Sequence, residues 1–209
     1  MKHAVIFDID GTLLDSSGQD DRIYRQAVDH VLGAVRLRPC LADYDPVTDA
    51  AILLQILDDN RLPADAGTIA AVKYEFIMRM EAFVKERGPF EEMPGAKSLF
   101  DRLQNSDAHC LAIATGGWRR SAEMKLVTAG FDIGSVPLAT ADDAVERTAI
   151  MEHALTSIGE EVASVTYFGD GPWDQKACEC LGWTFRAVGP ELAGISSYDA
   201  EFTIKSAGV

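Results

Sequence analysis

The chain has 209 residues, of which 47% are hydrophobic and 25% are charged, as is typical of a globular protein with one core and a smaller subdomain. A formal charge of −14 excludes binding driven by attraction to nucleic acid phosphates or to an anionic membrane surface. No stretch reaches the roughly 20 apolar residues of a membrane span and residues 1–7 lack a signal-peptide pattern, so we expect a cytoplasmic protein without membrane or nucleic acid partners.

The first predicted strand, residues 4–7, ends at a pair of acids. Asp8 and Asp10 stand one residue apart, directly before the turn Gly11-Thr12. In a parallel sheet this position lies at the carboxyl ends of the strands, where ligands bind. One carboxylate there can attack phosphorus, and a second can protonate the leaving alkoxide and then activate water. We interpret Asp8 as the nucleophile and Asp10 as the acid and base; the alternative is a solvated turn with two incidental acids.

The run from Val5 to Leu14, Val-Ile-Phe-Asp-Ile-Asp-Gly-Thr-Leu-Leu, resembles the first motif of the haloacid dehalogenase-like hydrolases. The resemblance implies a Rossmann-like, doubly wound parallel α/β sheet and a reaction through an aspartyl-phosphate. It also implies that Thr12 helps to bind phosphate. The halide-displacing members of the family have no leaving alkoxide to protonate and generally lack the acid found here at Asp10. Dehalogenation is therefore the weaker interpretation.

Residues 17–88 are predicted to form an all-helical cap inserted after the first motif. Apolar residues recur there at helical spacing, and three X-Pro steps divide the segment into three or more helices. The catalytic core then consists of residues 1–16 and 89–209. The placement of the insertion resembles the cap of the branch that contains phosphoglycolate phosphatases and beta-phosphoglucomutases. Such a cap excludes water from the reaction and selects the substrate.

Thr48 and Asp49 stand at the start of one predicted cap helix. They resemble a Thr-Asp turn of some phosphoglycolate phosphatase-like caps, in which either residue can face the substrate. The alternative is an ordinary helix N-cap, followed by an acid that the helix dipole favours.

Two further apolar runs, residues 109–114 and 164–168, repeat the strand pattern. They alternate with helical patterns, which predicts a parallel sheet covered on both faces. The predicted helices of this part of the chain cover residues 95–104, 119–129, 147–158 and 173–181.

The strand at 109–114 ends in Thr115-Gly116-Gly117, which resembles the second motif of the family. We expect the Thr115 hydroxyl and the backbone N–H groups around Gly116 to hold phosphoryl oxygens. Taken alone, the same junction also suits an ordinary helix N-cap. Its position between the other motifs favours phosphate binding.

The third motif is where the sequence departs from the family. Relatives usually carry a lysine near the start of the helix before the last motif strand, where it neutralises the nucleophile and the phosphate. Residues 141–150 contain no lysine, and Arg147 is their only cation. A guanidinium can pair with carboxylate or phosphate through two N–H groups, but a surface arginine in the first helical turn is an equal alternative. Lys125 is a weaker substitute, because a lysine in mid-helix is usually solvated.

Asp170 and Asp174 follow the strand at 164–168 and resemble the fourth motif, in which acids hold magnesium. Transfer of a phosphoryl group to a carboxylate brings anions together, and a divalent cation offsets their repulsion. Oxygen ligands and retained waters suit Mg²⁺. We expect Asp8, the backbone carbonyl of Asp10 and Asp170 as direct ligands, with Asp174 close by or acting through water. The alternative is that Asp170 only caps the following helix.

Four cysteines are too few and too widely spread for a disulfide framework in a chain of this length. Because free cysteine is among the most buried residue types, we expect them to be buried and reduced; they are Cys40, Cys110, Cys178 and Cys180.

The motifs together predict a Mg²⁺-dependent phosphatase that acts on a small phosphorylated metabolite. A beta-phosphoglucomutase-like phosphotransferase is the main alternative, because it uses both first-motif acids and a similar cap. A catalytically silent binding protein is the third possibility, and only the missing lysine favours it. The sequence discloses neither the substrate nor the oligomeric state.

Overall fold

The computed structural model describes residues 1–199, which are built around one five-stranded sheet. Its strands are β1 (Lys2–Phe7), β2 (His109–Ala114), β3 (Leu138–Ala139), β4 (Val162–Gly169) and β5 (Thr184–Ala187). Their spatial order is β3-β2-β1-β4-β5, and every neighbouring pair is parallel. The predicted doubly wound α/β sheet is therefore confirmed.

β1 lies in the centre of the sheet because its side chains are apolar on both faces. Val5 and Phe7 belong to the hydrophobic core on one face, and Ile6 belongs to the core on the other. Phe7 stacks on Phe168 of β4 with the ring centroids 4.9 Å apart. Parallel strands covered on both faces are continuous hydrophobic runs, which is why the sequence pattern locates β1, β2 and β4.

The two edge strands, β3 and β5, are not predicted by the sequence pattern. β3 has two residues, and β5 alternates between exposed and partly buried side chains. Runs this short lack the sustained apolar pattern by which a strand is recognised.

The segment between the first motif and residue 89 contains helices and no strand. Its elements are α1 (Ser17–Leu32), a short 3-10 helix at Leu41–Asp43, α2 (Asp49–Asp59) and α3 (Ala66–Arg87). We call residues 17–88 the helical insertion; their status as a separate domain stays a prediction.

The helical insertion packs on the core through aromatic rings. Trp118, which follows β2, is 2% exposed. Its ring centroid lies 5.6 Å from that of Tyr24 in α1 and 5.6 Å from that of Phe76 in α3. Tyr24 and Phe76 also contact each other, at 5.7 Å. One core tryptophan thus joins two helices of the insertion above the carboxyl end of β2.

The remaining helices follow the predicted pattern, with ends that differ by one or a few residues. They are α4 (Ala96–Gln104), α5 (Arg119–Thr128), α6 (Arg147–Ser157) and α7 (Pro172–Leu181). Pro172 suits the first position of α7, where its missing N–H is not needed, and Gly182 ends the helix at φ 69°. Within residues 1–199, no helix is both long enough and apolar enough to cross a lipid bilayer.

The predicted burial of the cysteines is wrong for two of the four. Cys110 and Cys178 are buried, whereas Cys40 and Cys180 are exposed; all four are free thiols. Cys178 and Cys180 point about 200° apart on one helix, so burial of the first against the sheet leaves the second on the outer face.

Candidate active site

A cavity of about 160 Å³ lies at the carboxyl ends of the central strands, and residues of both the core and the helical insertion line it. Its charged lining residues are mostly acids: Asp8, Asp10, Asp20, Asp21, Asp49, Asp170 and Glu191. Within residues 1–199, Arg147 is the one cation of this lining. The lining thus includes the predicted acids Asp8, Asp10, Asp49 and Asp170, whereas Asp174 is not part of it.

Asp8 follows β1, and its N–H donates to the Phe168 carbonyl of β4 at 2.9 Å. The residue is 5% exposed. Asp8 Oδ2 lies 3.0 Å from Arg147 Nη2, whereas Oδ1 is buried without a hydrogen-bond partner among the described residues. Burial raises the pKa of Asp8 to about 7, although the Arg147 charge opposes the shift. Asp8 therefore has one oxygen beside a cation and one oxygen free.

Arg147 is the first residue of α6 and is 6% exposed. Its Nε and Nη2 lie 2.6 and 2.5 Å from Asp174 Oδ1, and its Nη1 donates to the Val47 carbonyl of the helical insertion at 3.2 Å. Burial acts to lower the pKa of Arg147, but Asp174 and other neighbours raise it well above its usual value. The alternative of a surface arginine does not hold, because the side chain is buried between two acids.

Asp174, in the first turn of α7, is wholly buried. Its Oδ1 accepts hydrogen bonds from Arg147, and its Oδ2 accepts the Gly171 N–H at 3.1 Å. Both oxygens are therefore engaged within the protein. One carboxylate oxygen from each of Asp8, Asp170 and Asp174 nevertheless lies within 4.8 Å of the others.

Asp170 directly follows β4 and packs against the backbone of Gly11. A Cβ added at Gly11 would lie 2.0 Å from Asp170 Oδ2, and Gly11 has φ +74°. Both observations require glycine in the turn after the first motif. Ser17 Oγ donates to Asp170 Oδ2 at 3.4 Å. Burial, reinforced by the charges of Asp8 and Asp174, raises the pKa of Asp170 to about 8, although the charge of Arg147 opposes the shift.

Asp10 contacts a different cation from Asp8. Lys125 Nζ lies 2.6 Å from Asp10 Oδ1 and 2.7 Å from Asp10 Oδ2. The same ammonium group lies 2.7 Å from Oδ1 of Asp20, in α1. Ser16 Oγ donates to Asp10 Oδ1 at 2.5 Å. The two acids of the first motif are thus held by two separate buried cations.

Thr115 and the two glycines after it line the cavity beside both first-motif acids. The Thr115 hydroxyl oxygen accepts the Gly117 N–H at 3.2 Å. A Cβ added at Gly116 would lie 2.6 Å from Arg147 Nη1, so a side chain has no room there. A Cβ added at Gly117 would lie 4.0 Å from Asp10 Oδ2, at ordinary contact distance. Gly116 therefore lies beside Arg147, and Thr115 lines the same cavity as Asp8.

Thr48 and Asp49 line the cavity and connect the helical insertion to the core. Thr48 caps α2 by accepting the Ala51 N–H, and it donates to the Val145 carbonyl at 2.8 Å. Asp49 Oδ2 accepts the Trp118 N–H at 2.9 Å. The hydroxyl of Thr48 is occupied by structural contacts, as in the N-cap alternative.

Thr12, the remaining predicted phosphate-binding residue, lies away from the cavity. It is wholly buried, its carbonyl accepts a hydrogen bond from the Tyr198 hydroxyl at 2.9 Å, and it is not among the residues that line the cavity. The turn at Gly11 directs the chain from Thr12 to Leu14 into the core, where Leu13 and Leu14 are also buried. The expected contact of Thr12 with phosphate therefore has no support in the geometry.

The sequence match to a known family covers most of the chain. A model of the haloacid dehalogenase-like hydrolases matches residues 2–182. The chain belongs to this family. The resemblance of the first motif is thereby confirmed. Among curated proteins, none matches the sequence.

Solved structures of haloacid dehalogenase-like hydrolases and related proteins share the fold at low identity. A hydrolase from Pseudomonas syringae has a TM-score of 0.72 at 21% identity, covering 88% of this chain and 83% of that one. CbbY from Rhodobacter sphaeroides, solved with xylulose-(1,5)bisphosphate, has a TM-score of 0.69 at 18% identity, covering 97% and 91%. A beta-phosphoglucomutase from Clostridium difficile has a TM-score of 0.69 at 14% identity, covering 91% and 86%.

Ser16 and Asp20 contact Asp10 or Lys125 in this haloacid dehalogenase-like hydrolase and are not predicted from the sequence. Lys125, which the sequence offers only as a weaker substitute for the family lysine, contacts Asp10. Lys125 is 1% exposed, although it lies in mid-helix. Its neighbours in the sequence give one signal, because the buried residues Ser121, Ala122 and Leu126 place Lys125 on the inner face of α5. The identity of its partners depends on contacts more than 100 residues apart in the chain.

Proposed function

We propose that this protein is a Mg²⁺-dependent phosphatase that hydrolyses a small phosphate monoester through an aspartyl-phosphate on Asp8. The observation that carries the proposal is the state of the Asp8 carboxylate. One oxygen lies 3.0 Å from Arg147, and the other is buried without a hydrogen-bond partner among the described residues. A carboxylate held by a cation on one side and free on the other is suited to attack phosphorus.

In the first step an Asp8 oxygen forms a bond to phosphorus while the bond from phosphorus to the ester oxygen breaks. Asp10 gives its proton to the leaving alkoxide. Arg147 and the backbone N–H groups around Gly116 stabilise the negative charge of the transferring phosphoryl group. Thr115, which directly follows β2, holds one phosphoryl oxygen in this proposal.

In the second step a water molecule attacks the phosphorus of the aspartyl-phosphate. Asp10, now a carboxylate, takes the proton of that water, and the bond between phosphorus and Asp8 breaks. Inorganic phosphate leaves, and both aspartates return to their starting states. Asp10 thus acts first as the general acid and then as the general base.

Asp8 and Asp170 fit the requirements of a divalent cation. Asp8 is buried, Asp170 is partly buried, and both have raised pKa values because burial and neighbouring acids outweigh the charge of Arg147. We propose these two carboxylates and the Asp10 backbone carbonyl as ligands of Mg²⁺, which supplies positive charge to the phosphoryl oxygens when bound. Asp174 has both oxygens engaged by Arg147 and Gly171. We therefore assign Asp174 the role of holding Arg147.

The charge of the cavity favours a phosphatase over a mutase. A mutase that returns the phosphoryl group to a phosphorylated sugar must hold two phosphates on one molecule. Within residues 1–199, the only cation that lines this cavity is Arg147, and it is committed to Asp8 and Asp174. A second phosphate would face Asp20, Asp49 or Glu191. The lining therefore suits a substrate with a single phosphate.

The test is phosphate release from a panel of phosphate monoesters that includes p-nitrophenyl phosphate, with Mg²⁺ and with excess chelator. We expect Mg²⁺-dependent release from the wild type and none from Asp8→Asn, because an amide cannot form the covalent intermediate. Asp29→Asn is the matched control, since Asp29 lies on α1 outside the cavity lining. Equal activity of Asp8→Asn and wild type, or full activity in chelator, would overturn the proposal.

A further inference from the structure

Lys125 is a buried lysine that has no role in the reaction proposed above. It lies in α5 with a side chain that is 1% exposed. A buried ammonium group is unfavourable unless acids or hydrogen-bond acceptors surround it. Burial alone would lower the pKa of Lys125, but Asp10 and Asp20 together raise it. The protein thus keeps a positive charge beside Asp10, outside the reach of solvent.

The contacts of Lys125 fix the direction of the Asp10 carboxylate. An aspartate side chain turns about two bonds, so one contact leaves a rotation free, whereas contacts to both oxygens do not. Lys125 Nζ contacts Oδ1 and Oδ2 of Asp10 at 2.6 and 2.7 Å, and Ser16 Oγ holds Oδ1 at 2.5 Å. Oδ2 has the fewer partners and lies toward Gly117, on the lining of the cavity.

Lys125 does not serve the nucleophile. Arg147 contacts Asp8 at 3.0 Å and Asp174 at 2.5 Å, so the cation expected beside the nucleophile is already present. The second partner of Lys125 is Asp20 of α1, at 2.7 Å. Lys125 therefore joins Asp10 of the first motif to the helical insertion.

We propose that Lys125 is a positioning residue for Asp10. It holds the carboxylate where it can exchange a proton with the leaving group and then with the attacking water, and Asp20 anchors the ammonium group from the helical insertion. This inference rests on the proposed function, because it assigns Lys125 to the proton-transfer steps of that reaction. General acid–base catalysis contributes on the order of 10²- to 10⁴-fold, and a misplacement of about 1 Å can remove 10²-fold.

The probe is p-nitrophenyl phosphate with saturating Mg²⁺, because its two steps differ in their need for Asp10. In the first step p-nitrophenolate leaves with the electron pair of the broken bond and needs no proton. In the second step the attacking water must lose a proton to Asp10. A variant that misplaces Asp10 should therefore release about one p-nitrophenolate per protein rapidly and then turn over slowly, by on the order of 10²-fold relative to wild type.

We expect this burst in Lys125→Met and in Asp10→Asn, and we expect the double variant to turn over as slowly as Asp10→Asn alone. Non-additivity is the signature of two residues that act as a unit. Lys97→Met is the matched control. Lys97 pairs with Asp101 on α4 at 2.5 Å, and neither residue lines the cavity. The control should keep wild-type kinetics.

Two results would overturn the inference. In the first, Lys125→Met slows the burst as much as the turnover, as a merely structural role predicts. In the second, the losses in Lys125→Met and Asp10→Asn multiply in the double variant. Melting temperatures establish that each variant is folded, and Lys125→Gln, whose amide can still donate to one Asp10 oxygen, replaces Lys125→Met if the latter does not fold. A smaller loss in Lys125→Gln supports the proposal, and an equal or larger loss counts against it.

Failure of the proposed function gives a different pattern. In that case the wild type releases no p-nitrophenolate, or Asp8→Asn releases it as fast as the wild type. If the wild type is active and Asp8→Asn is not, while Lys125→Met keeps wild-type turnover, the phosphatase stands and only the role of Lys125 is lost.

Discussion

Two buried cations, Arg147 and Lys125, each join one acid of the first motif to a second acid, yet they connect different parts of the molecule. Arg147 joins Asp8 to Asp174, and both acids belong to the elements around the sheet. Lys125 joins Asp10 to Asp20, which lies in the helical insertion. The proposed nucleophile is thus held within the core, whereas the proposed acid and base is held partly from outside it.

We call Asp8, Arg147, Asp170 and Asp174 the core cluster, and Asp10, Asp20 and Lys125 the Lys125 cluster. The two clusters also differ in how their charges balance. Lys125 faces two acids that retain some contact with solvent, since the side chains of Asp10 and Asp20 are 20% and 15% exposed. Arg147 faces acids that are 6% and 0% exposed, and Asp170 adds a further carboxyl nearby. The core cluster therefore carries the larger excess of buried negative charge. This difference is why we propose the divalent cation beside Asp8 and Asp170 and not beside Lys125.

Replacing Arg147 should give the largest effect. Arg147→Ala leaves Asp8 and Asp174 buried without their cation, which we expect to lower kcat by about 10²- to 10³-fold, as for loss of one preorganised charge contact. The same change should lower the melting temperature, because removing one partner of a buried pair destabilises by about 3–5 kcal/mol. Measuring kcat and melting temperature together tests both effects.

Arg147→Lys is the matched variant. It keeps the charge but cannot reach Asp174, Asp8 and the Val47 carbonyl with separate N–H groups. We expect intermediate kcat and stability. If Arg147→Ala keeps wild-type kinetics, the contact with Asp8 has no catalytic role and the comparison between the two cations loses its basis.

The sequence predicts the core cluster better than the Lys125 cluster for a physical reason. Asp8, Asp170 and Asp174 follow buried strands, and the ends of parallel strands must meet at one edge of the sheet. Arg147 lies at the predicted start of a helix in the same layer. The contact of Lys125 with Asp20, by contrast, depends on how the helical insertion packs on the core through Trp118, and no local periodicity encodes that packing.

The fold shows the same division. Strands buried on both faces, such as β1, have a continuous apolar pattern, whereas the edge strands β3 and β5 do not. Thr12 shows that a sequence motif does not by itself tell which of its residues line the cavity. The motif places it beside the nucleophile in the chain, but the turn at Gly11 carries it into the core, away from the cavity.

The excess charge of the core cluster predicts how stability depends on pH and Mg²⁺. Asp170 has a pKa of about 8 in the folded chain, well above the usual 3.8. The folded state therefore binds this proton more tightly than the unfolded state does. Raising the pH through the window between these two values removes stability from the metal-free protein. Mg²⁺ should restore it, with a larger rise in melting temperature at about pH 8 than at about pH 5.

Asp170→Asn is the control for this titration, because it removes the proton while keeping the shape of the side chain. In chelator, the variant should gain stability relative to wild type as the pH rises, and Mg²⁺ should shift its melting temperature much less. A wild-type melting temperature that does not respond to Mg²⁺ at either pH would count against Asp170 as a ligand.

Asp20→Asn should have a smaller effect, because it leaves Lys125 on Asp10 and removes only the anchor in the helical insertion. Burial raises the pKa of Asp20 to about 6, so the carboxyl is charged above that pH. We expect a loss in kcat of less than about tenfold, well below the contribution of a general acid or base. Asp29→Asn on the same helix is the control, and a loss as large as that of Lys125→Met would make Asp20 the more important partner.

Two adjacent glycines, one beside each cluster, give the finest test of the comparison. A Cβ at Gly116 would meet Arg147 Nη1 at 2.6 Å and the Val47 carbonyl at 2.9 Å, so Gly116→Ala must displace the core cluster. A Cβ at Gly117 would lie 3.6 Å from Thr115 Oγ1, 3.8 Å from Asp49 Oδ2 and 4.0 Å from Asp10 Oδ2, all ordinary contacts. Gly117→Ala should therefore fold normally with its Lys125 cluster intact.

The methyl group of Gly117→Ala would lie between Thr115, which we propose to bind phosphate, and Asp10, which we propose to protonate the leaving group. We expect KM to rise a few-fold while kcat changes little, because the catalytic groups keep their places and only the room for substrate shrinks. Gly116→Ala should lower kcat instead, through Arg147. If Gly117→Ala lowers kcat and leaves KM unchanged, the methyl group has moved Asp10 itself, and the Lys125 contacts hold that carboxylate less firmly than their distances indicate.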